Sequence, residues 1–215
     1  MKKIFYLSVL MIITAMNQPL RSQDRLLPAP DKTGGKPLMQ ALNERATSRE
    51  FDSTPLSDQQ LTDLLWAAWG INRPDGRHTA PSSNNRQEMS VYVALETGLY
   101  LYIPEDHSLK LIHNRDIRKS TGKQEFVGVA PVNLIFVADL KKANVSNPET
   151  AGPEALNTSN INTGFMAQNV YLYCASANLA CVVRGWFDKE ELAKAMELSP
   201  VQRIIITQTV GFPRK

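Results

Sequence analysis

Two arginines and two hydroxyl-bearing residues fall within five consecutive positions, Arg45-Ala46-Thr47-Ser48-Arg49. Guanidinium groups bind oxyanions through paired hydrogen bonds, and hydroxyl groups can fill the remaining acceptor sites. The pattern therefore indicates a site for a dianionic phosphate. The alternative is a solvated helix end, at which cations lie beside the last carbonyl groups of the helix.

A second polar run, APSSNNRQ, occupies positions 80–87. It lies between a predicted helix and a predicted strand, so it is either an ordinary connecting loop or a loop held rigidly enough to recognise a ligand.

A third candidate is VVRGWFD at positions 182–188, where an apolar run ends at Arg184 and Gly185 follows. A glycine lets a backbone amide approach a flat ring closely. The alternative is a turn from a strand into a helix capped by Asp188, which leaves Arg184 unexplained. The last segment, GFPRK at 211–215, is by default solvated charge at the terminus.

The cysteines and histidines do not form a recognisable catalytic or metal-binding pattern. Cys174 and Cys181 are predicted to be two buried thiols. His78, His107 and His113 lack the i, i+4 spacing of a helical metal site, so no metal is predicted.

Two helices are predicted ahead of the polar run at 80–87. Pro37 begins the first, which extends to about Ala46. The second begins with a capping box, SDQQ at 57–60, continues with leucines at helical spacing and ends at Gly70.

Beyond position 88 the hydrophobic pattern becomes that of strands. Strands are predicted at 90–96, 99–103, 109–112, 132–138, 179–183 and 203–210. The first three form a meander, and the fourth is apolar enough to be buried on both faces. A long helix with crowded surroundings, of a kind often found at subunit interfaces, is predicted over 158–178 after a polar loop at 140–155, and Asp188 caps another helix.

The charges separate a leader from a neutral body. Lys2, Lys3 and Arg21 supply the whole formal net charge of +3, because the other basic and acidic residues balance. A neutral body gives no reason to expect nucleic acid as a partner. The apolar run from Ile4 to Met16 is typical of a secretory signal and is shorter than the about 20 residues of a membrane span. An uncleaved membrane anchor is the alternative.

We therefore divide the chain into a signal peptide (1–23), a proline- and glycine-rich linker or arm without regular structure (24–36) and one folded domain (37–215). The 215 residues and 43% hydrophobic content suit a single globular core. A protein with this leader is expected to act in the periplasm or to be secreted.

Taken in order, the polar segments resemble the motifs of the nitroreductase family of flavin enzymes. RATSREF at 45–51 resembles the family's Arg-x-Ser-x-Arg/Lys-x-Phe motif, and the run at 80–87 resembles its Pro-Ser-Ser-x-Asn-x-Gln loop. Residues 178–188 resemble the Ala-x-Gly-Leu…Gly-Phe-Asp segment, and VGFP at 210–213 resembles Val-Gly-Tyr-Pro. The resemblance covers about 37–213.

This resemblance implies a fold and a binding site. The fold would be α+β, with three layers in which a central, mainly antiparallel sheet is flanked by helices. FMN would lie across the interface of a homodimer, with the loop at 81–85 contributed by the partner subunit. Gln124 would face the N3 edge of the ring, and a main-chain amide near Gly185 would face N5. The cofactor-binding residues implied are Arg45, Thr47, Arg49, Pro81, Ser82, Ser83, Asn85, Gln124, Arg184, Gly185 and Arg214.

The sequence departs from the family pattern in three places. Trp186 is an additional residue relative to Gly-Phe-Asp, and Arg184 stands where many members have an acidic or neutral residue. Many members also carry phosphate-binding cations beyond the Gly-Tyr-Pro motif, a role that Arg214 or Lys215 would take here.

The activity implied by the resemblance is that of an FMN-dependent oxidoreductase with ping-pong turnover. A reduced donor, NAD(P)H or a substitute outside the cytoplasm, would pass hydride to the flavin, and a nitroaromatic or quinone-type acceptor would then be reduced. A cation such as Arg49 would stabilise the reduced form, and no acid, base or nucleophile is expected from the protein. Two alternatives stay open: a flavin-binding module without turnover, and a flavin-free interaction protein on the same scaffold.

Overall fold

A sheet of seven strands runs through residues 24–214, the part of the chain that the computed structural model describes. Its strands are β1 (Arg25–Leu26), β2 (Met89–Leu95), β3 (Gly98–Ile103), β4 (Ser108–His113), β5 (Val132–Asp139), β6 (Ala180–Arg184) and β7 (Gln202–Gly211). The helices are α1 (Leu38–Glu44), α2 (Asp58–Trp69), α3 (Asn157–Ser176) and α4 (Lys189–Ala195). The predicted helices and strands are confirmed, with boundaries that agree within two residues.

The sheet order is β1-β4-β3-β2-β5-β7-β6, and every neighbouring pair is antiparallel. The meander of β2, β3 and β4 is confirmed. The long final strand, β7, pairs with β5 on one side and with β6 on the other, so the polar segment after β6 and the chain terminus are placed at neighbouring positions.

The alternation of side chains along the strands creates two cores. On β5, Leu134 and Phe136 face the larger core beside α2 and α3, whereas Ile135 and Val137 face a second core beside α4. All four side chains are fully buried, which confirms the prediction for this strand. Helices on both faces of one sheet give the three-layer α+β fold.

Helix α2 shows how the local sequence sets an element. The Ser57 hydroxyl accepts a hydrogen bond from the Gln60 N–H at 3.2 Å, and the Gln60 side chain accepts one from the Ser57 N–H at 3.0 Å. At the other end, a Cβ on Gly70 would lie 2.1 Å from a ring carbon of Trp66. Any other residue at this position would therefore clash with the Trp66 ring, which covers the end of the helix.

Replacing Ser57 with alanine is expected to lower the free energy of unfolding by about 1 kcal/mol, because the first turn of α2 loses its cap. Urea denaturation of the two proteins measures the difference. Ser53→Ala is the matched control, since Ser53 is exposed and its hydroxyl has no hydrogen bond among residues 24–214. Equal losses in the two variants would contradict this account of the cap.

The segment 24–36, predicted to lack regular structure, does so except at β1. This two-residue strand pairs with β4, and the Leu27 side chain enters the larger core. Beyond it, the Pro28 carbonyl accepts a hydrogen bond from Thr62, and the Asp31 N–H donates one to Asp63. The segment is therefore an arm docked on α2 and the sheet edge.

Helix α3 is buried on one side and open on the other. Met166, Val170 and Cys174 pack into the larger core, but Ile161 is 62% exposed and Phe165 is 45% exposed. The prediction of crowding on several sides therefore holds for only one face within this single chain. An open apolar face of this kind is typical of a surface that binds a partner.

Cys174 on α3 and Cys181 on β6 are both buried free thiols, as predicted. Burial raises the pKa of the Cys174 thiol well above its usual value, with a further contribution from its hydrogen bond to Cys181. The predicted signal peptide, residues 1–23, lies outside the described part of the chain. Between 24 and 214, no helix has the length and apolar character needed to cross a membrane.

Candidate functional site

The first arginine segment lies against the end of the sheet. The Ser48 N–H donates to the Cys181 carbonyl at 3.0 Å, and the Asp52 N–H donates to the Phe212 carbonyl at 2.9 Å. Between these bonds, Phe51 is buried and packs on Phe126, with ring centroids 5.4 Å apart. Because β6 and the tail after β7 both hold this segment, residues 45–52 have a fixed place along one edge of the molecule.

Arg45 is held through its side chain and Arg214 through its backbone, and neither contact is an ion pair. The Arg45 guanidinium lies 5.4 Å from the centroid of the Tyr171 ring, and the Arg214 N–H donates to the Glu50 carbonyl at 3.3 Å. Within the described chain, Arg45, Arg49 and Arg214 make no salt bridge with a carboxylate. The Thr54 hydrogen bonds lower the pKa of Asp52 and the positive charge of Arg214 adds to this, so Arg214 acts partly on that carboxylate. Arg45 and Arg49 present positive charge of the kind that a phosphate site requires.

Tyr171 is a site residue that the sequence did not reveal. Its hydroxyl lies 3.1 Å from the Thr47 hydroxyl and accepts a hydrogen bond from the Val183 N–H at 3.0 Å. The residue thus joins the arginine segment to β6, two positions before Gly185. The position of Tyr171 in the hydrophobic pattern of α3 did not indicate a role at a site, because tyrosines on a helix are usually core residues.

Replacing Tyr171 with phenylalanine is expected to weaken flavin binding about fivefold and to lower the free energy of unfolding by about 1 kcal/mol, since one hydroxyl holds two segments. Flavin fluorescence titration and urea denaturation measure the two effects. Tyr173→Phe is the matched control, because the Tyr173 hydroxyl donates to the Gln60 carbonyl on α2. The control should lose stability alone, and a loss of flavin affinity in both variants would contradict the assignment.

The glycine turn after β6 is accessible. Apart from its two chain neighbours, no atom of residues 24–214 lies within 4 Å of the position that a Cβ on Gly185 would take, and the residue is exposed. Trp186, the additional residue, is 67% exposed, and its carbonyl accepts a hydrogen bond from the Lys123 N–H at 3.1 Å. A flat ligand can therefore approach the backbone at Gly185.

Gln124 lies close to this turn and is half-buried. Its Oε1 atom is buried without a hydrogen-bond partner among the described residues. A buried acceptor without a donor is costly, so this oxygen suits a ligand N–H group. The predicted role of Gln124 at the N3 edge of a flavin is compatible with this observation.

The side chain of Arg184 is placed differently from the others. It is only 4% exposed and points into the interior between β6, β7 and β5. The guanidinium therefore lies away from the open edge. Only the main chain of Arg184 and of Gly185 remains available to contact a cofactor.

The loop at 81–87 is held by its own side chains. Its middle forms a short 3-10 turn, Ser83–Asn85, and Asn84, Asn85 and Gln87 all have φ near +50°. The Ser82 hydroxyl accepts a hydrogen bond from the Gln87 N–H at 3.0 Å, and the Gln87 side chain donates to Asn85 at 3.1 Å. Non-glycine residues in this conformation often occur at ligand-binding sites.

The loop borders a cavity of about 350 Å³ that also involves residues the sequence analysis missed. Arg73 and Arg77 line it together with Pro81, Ser82 and Asn85, and so does His78. Burial lowers the pKa of His78, whose ring stacks on Trp69 with centroids 4.0 Å apart. Arg77 pairs with the Asp75 carboxylate at 3.3 Å, whereas Arg73 forms no salt bridge among the described residues. The only sequence signal was the basic character of NRPDGR at 72–77.

The two groups of predicted residues do not meet in one chain. Among residues 24–214, no hydrogen bond or salt bridge joins the arginine edge to the loop at 81–87. This separation agrees with a site built from two chains. Across the same residues, no group of three or more His, Cys, Asp and Glu side chains could hold a metal ion.

The antiparallel sheet between two helix layers defines the class of fold, and the arginine edge and the open glycine turn lie at one end of that sheet. A model of the nitroreductase family matches residues 42–212. The chain therefore belongs to the nitroreductase family. This membership makes it an oxidoreductase of a family whose members generally use flavin.

Individual relatives agree with this assignment. A curated protein of Methanocaldococcus jannaschii that carries a nitroreductase name is 30% identical over 171 residues, covering 75% of this chain and 84% of that protein. A crystal structure from Ralstonia eutropha, also named as a nitroreductase, is 43% identical with a TM-score of 0.83, covering 92% of this chain and 93% of the other. Nitroreductase A from Vibrio parahaemolyticus shares the fold, with a TM-score of 0.62, 22% identity and coverage of 83% and 68%.

Proposed function

We propose that the protein is an FMN-dependent oxidoreductase that acts as a homodimer. The observation that carries the proposal is the Tyr171 bridge, which joins Arg45 and Thr47 to β6 just before the open Gly185 turn. A ligand that joins a phosphate to a flat ring through a flexible chain could bind the arginines with its phosphate and the Gly185 turn with its ring.

The residues present fit FMN in charge and in hydrogen bonding. Arg45 and Arg49 would bind the phosphate, and Thr47 would add a hydroxyl. The orphaned Oε1 of Gln124 would accept a hydrogen bond from the ring's N3–H group, and the Gly185 turn leaves room for a ring to approach the backbone. When bound, FMN would supply the hydride and electron transfer chemistry itself.

The protein's own part is to bind, orient and stabilise charge. Cations at the arginine edge favour a ring that has gained negative charge, so they would assist its reduction. The exposed Trp186 next to the turn offers an aromatic surface to a planar substrate. We propose NAD(P)H or another reductant as the donor and nitroaromatic or quinone-type compounds as acceptors, which would use the same open site in turn.

A homodimer would complete this site. The loop at 81–87 is held by hydrogen bonds between its own residues and is partly exposed. Among residues 24–214, no hydrogen bond or salt bridge joins it to the arginine edge. The exposed face of α3 around Phe165 supplies apolar surface for association. Pro81, Ser82, Ser83 and Asn85 would then reach the cofactor held by the other subunit.

We further propose that the protein acts outside the cytoplasm after removal of residues 1–23, on the basis of the leader sequence. Nicotinamide cofactors are scarce there, so in that compartment the donor would be the other reductant named above, while NADH and NADPH serve as donors in the test with purified protein. Immunodetection in periplasmic and cytoplasmic fractions tests the location, and a full-length cytoplasmic product would contradict it.

The test of the function uses the purified protein loaded with FMN. We expect a yellow protein with about one FMN per chain whose visible absorption bleaches when NADH, NADPH or dithionite is added without air and returns with a quinone. Colourless protein that takes up no FMN would overturn the proposal. Flavin that dithionite bleaches but that no quinone or nitroaromatic reoxidises would indicate binding without turnover.

A further inference from the structure

Arg184 ends β6 with its guanidinium inside the protein, directly before the accessible Gly185. Nε donates to the Thr209 hydroxyl at 2.9 Å, and Nη2 donates to the Asn133 side-chain oxygen at 2.9 Å. Nη1 donates to the Thr121 carbonyl. The three partners come from β7, β5 and the segment before Gln124, so one side chain links three parts of the fold behind the turn.

None of these partners carries a negative charge. In the described chain, no carboxylate forms a salt bridge with Arg184. Arg118 is buried as well but differs, because the Asp116 carboxylate lies 2.8 Å from its Nη2. Burial lowers the pKa of Arg184 to about 10, which still leaves it protonated at neutral pH.

The surroundings place this charge close to the proposed ring site. A Cβ on Gly122 would lie 2.0 Å from Arg184 Nη1 and 2.9 Å from Gln124 Oε1, so both side chains converge on the Gly122 backbone. Gln124 and Gly185 are the two residues proposed to face the ring. The guanidinium therefore lies behind the surface formed by these residues.

An uncompensated buried charge is costly, and well-packed apolar residues often replace buried charges without loss of stability. A functional reason for Arg184 follows from the charge change during the reaction. Addition of a hydride, two electrons and one proton, to a neutral oxidised flavin leaves the ring with one extra negative charge, while the hydride donor becomes oxidised. A fixed cation nearby favours that product.

We propose that Arg184 is a positioning residue that fixes the Gly185 turn and supplies a buried positive charge that makes the bound flavin easier to reduce. This inference rests on the proposed function. It also explains why an arginine can stand where the family often has an acidic or neutral residue: here the charge acts through the interior and not by contact with the ligand.

The test compares reduction potentials of the FMN-loaded dimer, measured by equilibration with a redox dye. Arg184→Met is expected to lower the equilibrium constant for two-electron reduction about tenfold, which is about 30 mV. Arg184→Lys keeps the charge and should stay within about threefold of the parent protein. Asn133→Asp keeps Arg184 and adds the missing carboxylate, so it should lower the constant as Arg184→Met does.

Arg118→Met is the matched control, because it removes a buried arginine whose charge Asp116 already balances. An unchanged constant in both Arg184→Met and Asn133→Asp would overturn the inference, as would an equal decrease in Arg118→Met. If Arg184→Met does not fold, Asn133→Asp decides the question. Parent protein that binds no FMN would instead overturn the proposed function, so the two failures are distinguishable.

Discussion

Replacing Arg45 and Arg49 together with alanine is expected to weaken FMN binding about 10²- to 10⁴-fold while the protein stays folded. Each arginine would lose a charge-assisted hydrogen bond, worth about 1.5–3 kcal/mol. The fold should tolerate the change, because Arg49 is exposed and the Arg45 guanidinium, which lies over the Tyr171 ring, makes no side-chain hydrogen bond or salt bridge among residues 24–214. The lost contacts are therefore mostly those to the ligand.

Fluorescence titration of apoprotein with FMN measures the affinity, and thermal denaturation without FMN measures the fold. Lys110→Ala with Arg115→Ala is the control, because it removes the same charge from exposed positions on and after β4. Retention of stoichiometric FMN by the Arg45 and Arg49 variant would refute the phosphate site. An equal loss in the control would show that overall charge, and not the arginine edge, governs affinity.

If the protein forms the proposed homodimer, replacing Phe165 with glutamate is expected to raise its dissociation constant about 10²- to 10³-fold and to release the proposed FMN with it. A large apolar side chain at the centre of an interface contributes about 2–4 kcal/mol to the free energy of association. A carboxylate there would also lose its hydration on association, which weakens binding further. The α3 face is open in one chain, so the monomer should still fold.

Light scattering over a range of concentrations measures the mass, and bound flavin is determined on the same samples. Lys194→Glu on α4 places the same side chain on the other side of the sheet and serves as the control. It should stay dimeric and yellow. A Phe165→Glu protein that remains a flavin-loaded dimer would contradict both the interface and the shared site.

The fold could be predicted from the sequence wherever a local pattern determines the structure. The capping box at Ser57, the alternation in the strands and the apolar run of β5 each set one element through interactions within or next to it. The pairing of β1 with β4 could not be predicted, because a two-residue strand has no periodicity and forms only through contact with distant residues. The open face of α3 also depends on packing that composition alone does not report.

The candidate site shows the same division. Arg45, Thr47 and Arg49 were predicted from residue types at motif spacing and Arg214 from the family resemblance, and the structure places them along one edge. Tyr171, Arg73 and Arg77 were missed because they lie outside the motifs and reach the site only through the tertiary fold. The placement of Arg184 inside the protein was also unpredictable, since only the meeting of Thr121, Asn133 and Thr209 makes an interior guanidinium possible.

The backbone of the loop at 84–87 limits how this protein can be altered. Asn84, Asn85 and Gln87 each hold a left-handed backbone that costs most residues about 1–2 kcal/mol, while asparagine and glycine accept it readily. Isoleucine, valine or threonine at these positions would shift the loop before any ligand contact changed. Mutant libraries that aim at new acceptors should therefore restrict Asn84 and Asn85 to asparagine, aspartate or glycine, keep Gln87, and diversify residues that line the same cavity, such as Arg73 and Arg77.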